Sequence, residues 1–150
     1  MIAAVQGVHA TSDGPWVPDR IGDDRARTGA YPWRSLLDAG TVLANGTDAP
    51  VENLDPIPSF YASVSRRLAD GRVFYGDQRM TREEALRSYT LDAAYAAFED
   101  DLKGSLTPGK LADVVVLSKD ILTVPDEEIL TSRVHLTILG GQVRYRAPAR

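Results

Sequence analysis

The residues best placed to do chemistry stand at the ends of two short apolar runs. In Gly40-Thr41-Val42-Leu43-Ala44-Asn45-Gly46-Thr47-Asp48-Ala49-Pro50-Val51 an apolar strand stops abruptly on the carboxylate of Asp48. Ile2 to Val8 is a second β-prone run, and it ends at His9. A buried strand that delivers an aspartate at its carboxyl end is how parallel α/β folds present a catalytic or metal-binding oxygen. Gly40 and Gly46 bracket the strand and leave room for something to approach. Pro50 cannot donate a ladder hydrogen bond, so pairing should fail just beyond Asp48. A second reading of the same segment has Asp48 capping a turn or the next helix.

The elements that must position these groups are bounded by composition. A chain of 150 residues with 43% hydrophobic content is the size of one ordinary domain and buries a real core. The formal charge of -4 and pI near 5.1 come from scattered acids and bases, with no basic stripe, which argues against a nucleic-acid partner. Cysteine is absent, so any metal must use histidine and carboxylate ligands. No apolar run has the length of a membrane span and the start has no signal-peptide grammar, so the expectation is a cytoplasmic chain with no membrane partner. The first residues already read as a buried strand, which suggests a truncation, a split gene or a misplaced start.

Thr11-Ser12-Asp13-Gly14-Pro15 supplies turn chemistry after the first run, and Trp16 to Gly29 lacks sustained periodicity, as a surface lid or rim would. Trp33, Leu36, Leu37 and Ala39 suit a helical face, with Gly40 where a left-handed cap is expected. Helix then strand is half of a βαβ crossover, so Ile2 to Val8 and Thr41 to Asn45 should be neighbouring parallel strands. After a turn through Asn53, Asp55, Pro56 and Pro58, the spacing of Phe60, Tyr61, Val64 and Leu68 predicts a helix. Thr81-Arg82-Glu83-Glu84 is a capping box, opening a helix whose face is Leu86, Tyr89, Ala93 and Ala97. Beyond Asp100, Ala112 to Leu117 reads as a strand, and Val134 to Leu139 with Gln142 to Tyr145 as a hairpin about Gly140-Gly141. The expected boundary separates residues 1–103 from a β-rich 104–150.

Taken in order, Ala4-Val5-Gln6-Gly7-Val8-His9 with Ser12-Asp13, Tyr31 to Gly40, Gly46-Thr47-Asp48-Ala49-Pro50-Val51, Leu86 to Ala94, and Gly104 to Asp113 resemble the C-terminal portion of the metal-dependent amidohydrolases. The similarity is to the branch that includes N-substituted formamide deformylases. It implies an α/β fold: the last two strands of a (β/α)8 TIM-like barrel, followed by strands of a small composite β-sandwich. It implies hydrolysis of a non-peptide C–N bond of a small-molecule substrate by a metal-activated water, the metal being a divalent ion such as zinc. Asp48 matches the aspartate that binds metal and handles the proton of the hydrolytic water, and His9 matches a substrate-contacting position. Gln6, Asp13 and Arg34 also fall on family positions, with packing or loop anchoring as competing roles.

Two departures stand out. Gly7 occupies a place where the family resemblance implies proline, which suggests a looser strand end. The chain has two histidines, His9 and His135, and no His-x-His pair, so the family's other metal ligands are not encoded in it. His135, in a hairpin strand, reads as structural. Trp16 and Trp33 are open to a substrate mouth or to packing. A fragment of this kind would be inactive alone and completed by an N-terminal polypeptide or by oligomerisation. The alternative from another class is a non-catalytic interaction or scaffold module built on the same fold.

Overall fold

A computed structural model describes residues 1–148. Strands β1 (Ile2–Gln6) and β2 (Val42–Gly46) pair in parallel, Ile2 opposite Val42 and Gln6 opposite Gly46. Their carboxyl ends therefore lie side by side. Between them run four short helices: α1 (His9–Ser12), α2 (Val17–Ile21), α3 (Asp23–Gly29) and α4 (Trp33–Asp38). The 16–29 stretch is thus helical where irregular chain is expected. Each of α2 and α3 buries a single apolar residue, Val17 and Ala26, so neither shows a period in sequence.

Helix α4 ends as anticipated. Gly40, at φ 77°, donates to the Leu37 carbonyl at 2.8 Å and Thr41 to that of Leu36 at 2.9 Å, the paired bonds of a Schellman turn. The chain then enters β2 at once. Leu43 is fully buried on this strand, whereas no residue of β1 is, because β2 is also covered by α4 and by helices further along the chain. The opening run is a strand, but an edge strand and not a buried one.

Helix α5 (Pro56–Ser65) begins where the sequence suggests a turn. Pro56 sits in its first turn, where the missing amide costs nothing, and the Asp55 carboxylate accepts from Ile57 N–H at 3.0 Å as the N-cap. The helix stops at Arg66, whose backbone is left-handed at φ 51°, so Leu68 lies outside it. Arg66 is fully buried. Its guanidinium lies over the Trp33 and Phe74 rings at 4.8 and 5.3 Å and donates to the Phe74 and Tyr31 carbonyls at 2.6 and 3.0 Å. Burial lowers its pKa to about 10.

The capping box forms: Glu84 N–H donates to Thr81 Oγ1 at 3.2 Å and Thr81 N–H to Glu84 Oε2 at 2.7 Å. The helix it opens is broken into α6 (Arg82–Tyr89) and α7 (Leu91–Ala96) at Thr90, whose ψ of -92° is not helical. The break rotates the inward face. Ala85, Ser88, Asp92 and Ala94 are buried, while Leu86 and Ala97 are on the exposed side.

The tail folds as an antiparallel sheet in the order β3 (Val114–Leu117), β4 (Val134–Leu139), β5 (Gln142–Arg146), with α8 (Asp126–Ile129) between β3 and β4. Gly140 and Gly141 both have positive φ, 57° and 76°, as a two-residue hairpin loop requires. Ile121 and Ile129 from this part share one core cluster with Trp33, Leu43 and Phe60. The architecture is mixed α/β, with one small parallel and one small antiparallel sheet. Among the described residues no helix is long and apolar enough to cross a membrane.

Candidate functional site

The parallel pairing of β1 and β2 brings His9 and Asp48 together from 39 positions apart in sequence. His9 opens α1 three residues past β1, and Asp48 follows β2 by two. His9 Nε2 lies 3.9 Å from Asp48 Oδ2. That is too long for a direct hydrogen bond, and short enough for one water or one metal ion to touch both atoms. The Asp48 side chain is 49% exposed and that of His9 20%. The Nε2 atom itself is buried and has no hydrogen-bond partner.

A buried nitrogen without a partner carries a desolvation cost that a ligand or metal at this position would relieve. Asp48 has a left-handed backbone, φ 57°, a conformation that aspartate tolerates better than most residues. Its carbonyl accepts from Val51 N–H at 2.8 Å in the turn that carries the chain away from the sheet. Its carboxylate does not cap α5, a task that Asp55 performs. The helix-capping alternative for Asp48 therefore falls to Asp55, while Asp48 does open the turn that closes on Val51.

The shell beneath the pair is polar and was not singled out from sequence. Asn45, Ser59 and Ser63 are all buried; Asn45 accepts from Gly7 N–H, Ser59 accepts from Val8 N–H and donates to the Gly46 carbonyl, and Ser63 accepts from the Asn45 amide. The Tyr89 hydroxyl reaches the Gly46 carbonyl at 3.5 Å, and burial raises its pKa. One signal was legible: Asn45 is the lone amide in an otherwise apolar strand. The partners on α5 were not, since they come from 14 and 18 positions further along the chain.

Gly7 is the opposite of loose. It is buried, its N–H is held by Asn45, and a Cβ built on it would lie 2.2 Å from Ser63 Oγ and 2.4 Å from the Ser59 carbonyl oxygen. Asp13 accepts from the Tyr31 hydroxyl. Burial first, and that hydrogen bond second, raise the pKa of Tyr31. Arg34 pairs with Glu84 and Asp38 and donates to the Arg79 carbonyl at 3.1 Å. Asp13, at the end of the short helix that His9 opens, thus ties that helix to Tyr31, and Arg34 ties α4 to the capping box at Glu84. Trp33 is core, Trp16 is half exposed, and His135 is an exposed residue of β4.

His9 and Asp48 supply two donors of the types that hold zinc or a similar divalent ion. A catalytic zinc site takes three protein ligands and leaves a position open for water. Among the described residues no group of three or more His, Cys, Asp or Glu side chains is arranged to hold a metal. The pair fits part of such a site.

Comparison with known proteins bears on what the pair belongs to. Residues 1–145 match the model of the amidohydrolase family. The chain is 35% identical over 146 residues to Protein LONG AFTER FAR-RED 3 of Arabidopsis thaliana, covering 97% of this chain and 25% of that protein. It is 31% identical over 124 residues to the N-substituted formamide deformylase of Arthrobacter pascens, covering 83% and 23%. A solved metal-dependent hydrolase from Pyrococcus horikoshii superposes with a TM-score of 0.72 at 31% identity, over 83% of this chain and 25% of that one. The chain therefore spans about a quarter of the length of these relatives. With nearly its whole length matched in both sequence and fold, this chain belongs to the amidohydrolase family, in the portion that lies at the C-terminal end of its metal-dependent hydrolases.

Proposed function

We propose that this chain is the part of a metal-dependent amidohydrolase that carries its last site carboxylate, and that the complete enzyme hydrolyses an amide-type C–N bond outside peptides. The observation that carries the proposal is the convergence of His9 Nε2 and Asp48 Oδ2 at the carboxyl ends of adjacent parallel strands. In that reading β1 and β2 are the last two strands of a (β/α)8 barrel, and residues 104–150 belong to a composite β-sandwich.

Asp48 would be a ligand of a divalent ion, zinc in its simplest form, with His9 on the substrate. The ion, when bound, supplies acidity to a water, lowering its pKa to about 7. Asp48, half open to the site mouth, takes the proton from the attacking water and returns it to the departing nitrogen. His9 Nε2, buried without a hydrogen-bond partner 3.9 Å from that carboxylate, would be the atom offered to a substrate oxygen. The substrate is a small molecule, the setting is cytoplasmic, and the remaining ligands come from another stretch of polypeptide or another subunit.

The test is metal content and hydrolysis with and without those ligands. Elemental analysis of the 150-residue chain alone should find less than one equivalent of tightly held metal. Co-expressed with an upstream polypeptide bearing a His-x-His pair, the complex should hold metal and cleave amides, and Asp48→Ala should lower turnover by about 10²-fold or more. A complex that turns over equally well with Asp48→Ala would refute the assignment. Complete absence of metal and hydrolysis from that complex would favour a non-catalytic scaffold module instead.

A further inference from the structure

The carboxyl ends of β1 and β2 are joined by more than their ladder. Asn45 Oδ1 accepts from Gly7 N–H at 2.9 Å, and Asn45 Nδ2 donates to Ser63 Oγ at 3.1 Å. Ser63 donates in turn to the Ser59 carbonyl at 3.0 Å. The Ser59 hydroxyl accepts from Val8 N–H at 3.0 Å and donates to the Gly46 carbonyl at 3.3 Å. One hydroxyl therefore grips both strand exits. Ser59 and Ser63 are 1% and 0% exposed and Asn45 is 9% exposed, so water is a poor substitute for any of these partners.

His9 follows Val8 by one residue and Asp48 follows Gly46 by two. The other backbone bonds near them are local: Asp13 N–H to the His9 carbonyl, and Val51 N–H to that of Asp48. Local bonds fix the shape of each loop, and the ladder, which ends at Gln6 and Gly46, brings the strand ends together without reaching His9 or Asp48. From this geometry we infer that Asn45, Ser59 and Ser63 form a clamp that sets the separation of His9 from Asp48, with Gly7 as the residue that lets the clamp close. Proline at position 7 would lack the N–H that Asn45 holds, and its ring would meet Ser63 and the Ser59 carbonyl. The three are positioning residues. The inference rests on reading His9 and Asp48 as the site pair.

The chain has two histidines, which makes the test direct. With isotope-labelled histidine in the full chain at one fixed pH, the His9 ring signal is followed by NMR, His135→Gln supplying its assignment. Asp48→Asn should displace the His9 signal and leave that of His135 in place. In the Ser59→Ala background the same Asp48→Asn change should displace it by about half as much or less, a coupling that loss of stability alone does not produce. Asn45→Ala should act in the same direction. Should Asn45→Ala fail to fold, Ser59→Ala, which removes a single hydroxyl, decides the matter. An undiminished displacement in folded Ser59→Ala overturns the clamp and leaves the pair standing. No displacement in the otherwise native chain overturns the pair, and the clamp with it.

Discussion

Glycine at position 7 has a physical reason that no local rule supplies. Its N–H is bound by Asn45 from β2, and its missing side chain leaves space for two serines of α5. Gly7→Ala would drive a methyl into the Ser59 carbonyl oxygen, at 2.4 Å, and that atom belongs to helix backbone and cannot swing aside. The expected cost is about 3 kcal/mol or more, at the upper end of what overpacking usually costs. Chemical denaturation would show it as a lower midpoint, and Ser63→Ala added to Gly7→Ala should not restore it, because the carbonyl clash persists. Full recovery in that double variant would mean that Ser63 Oγ alone excludes a side chain here. Asp48 and His9 were visible in sequence because each ends an apolar run, and strand ends are a local signal. Asn45 stood out only as an amide in an apolar strand, and Ser59 and Ser63 not at all, because what makes the three matter is a pairing among segments that only the fold brings together.

At the scale of elements, the joint between α4 and α6 is electrostatic. Glu84 serves twice: it accepts from Thr81 N–H as half of the capping box, and from both terminal guanidinium nitrogens of Arg34, Nη1 at 2.9 Å and Nη2. The Arg34 hydrogen bonds, aided by those at Thr81 and opposed by burial, depress the pKa of Glu84 from its ordinary 4.5 to about 2. A depressed carboxylate stabilises the fold fully above its unfolded value, and that contribution is lost as pH falls through the folded one. The loss should therefore run from about pH 4.5 down to about pH 2. Glu84→Gln should cost on the order of 1–2 kcal/mol at pH 7, discounted for partial exposure, and the gap from the native chain should close near pH 2. A gap independent of pH would show that only the neutral hydrogen bonds count. The capping box was legible because its two residues are three apart. The break at Thr90 was not: nothing in the run from Arg82 to Ala97 forbids one continuous helix, and the turn of face comes from packing on β2.

The whole molecule leaves apolar surface and strand edges without partners. Among the described residues β1 pairs only with β2, and β3 only with β4, so both sheets have open edges. Beside β3 lies a groove of about 970 Å³ lined by Leu86, Ala93, Ala97, Leu106, Leu111 and Val115. Leu106 is 79% exposed and Val115 53%. Leu86, Ala93 and Ala97 belong to the face that helical spacing marks as inward, and they point into this groove and not into the core. The periodicity was a sound guide to a surface that needs covering, and no guide to what covers it. Open edges beside apolar surface promote association. At tens of micromolar the chain should sediment well above its 16.3 kDa, and Val115→Lys, which puts a charge on the β3 edge, should shift it towards monomer. A native chain that stays monomeric at that concentration would mean the groove and edges are protected by their own twist and flanking charges. If Val115→Lys left the association intact, the contact would have to lie elsewhere, with the free edge of β1 the next place to introduce a charge.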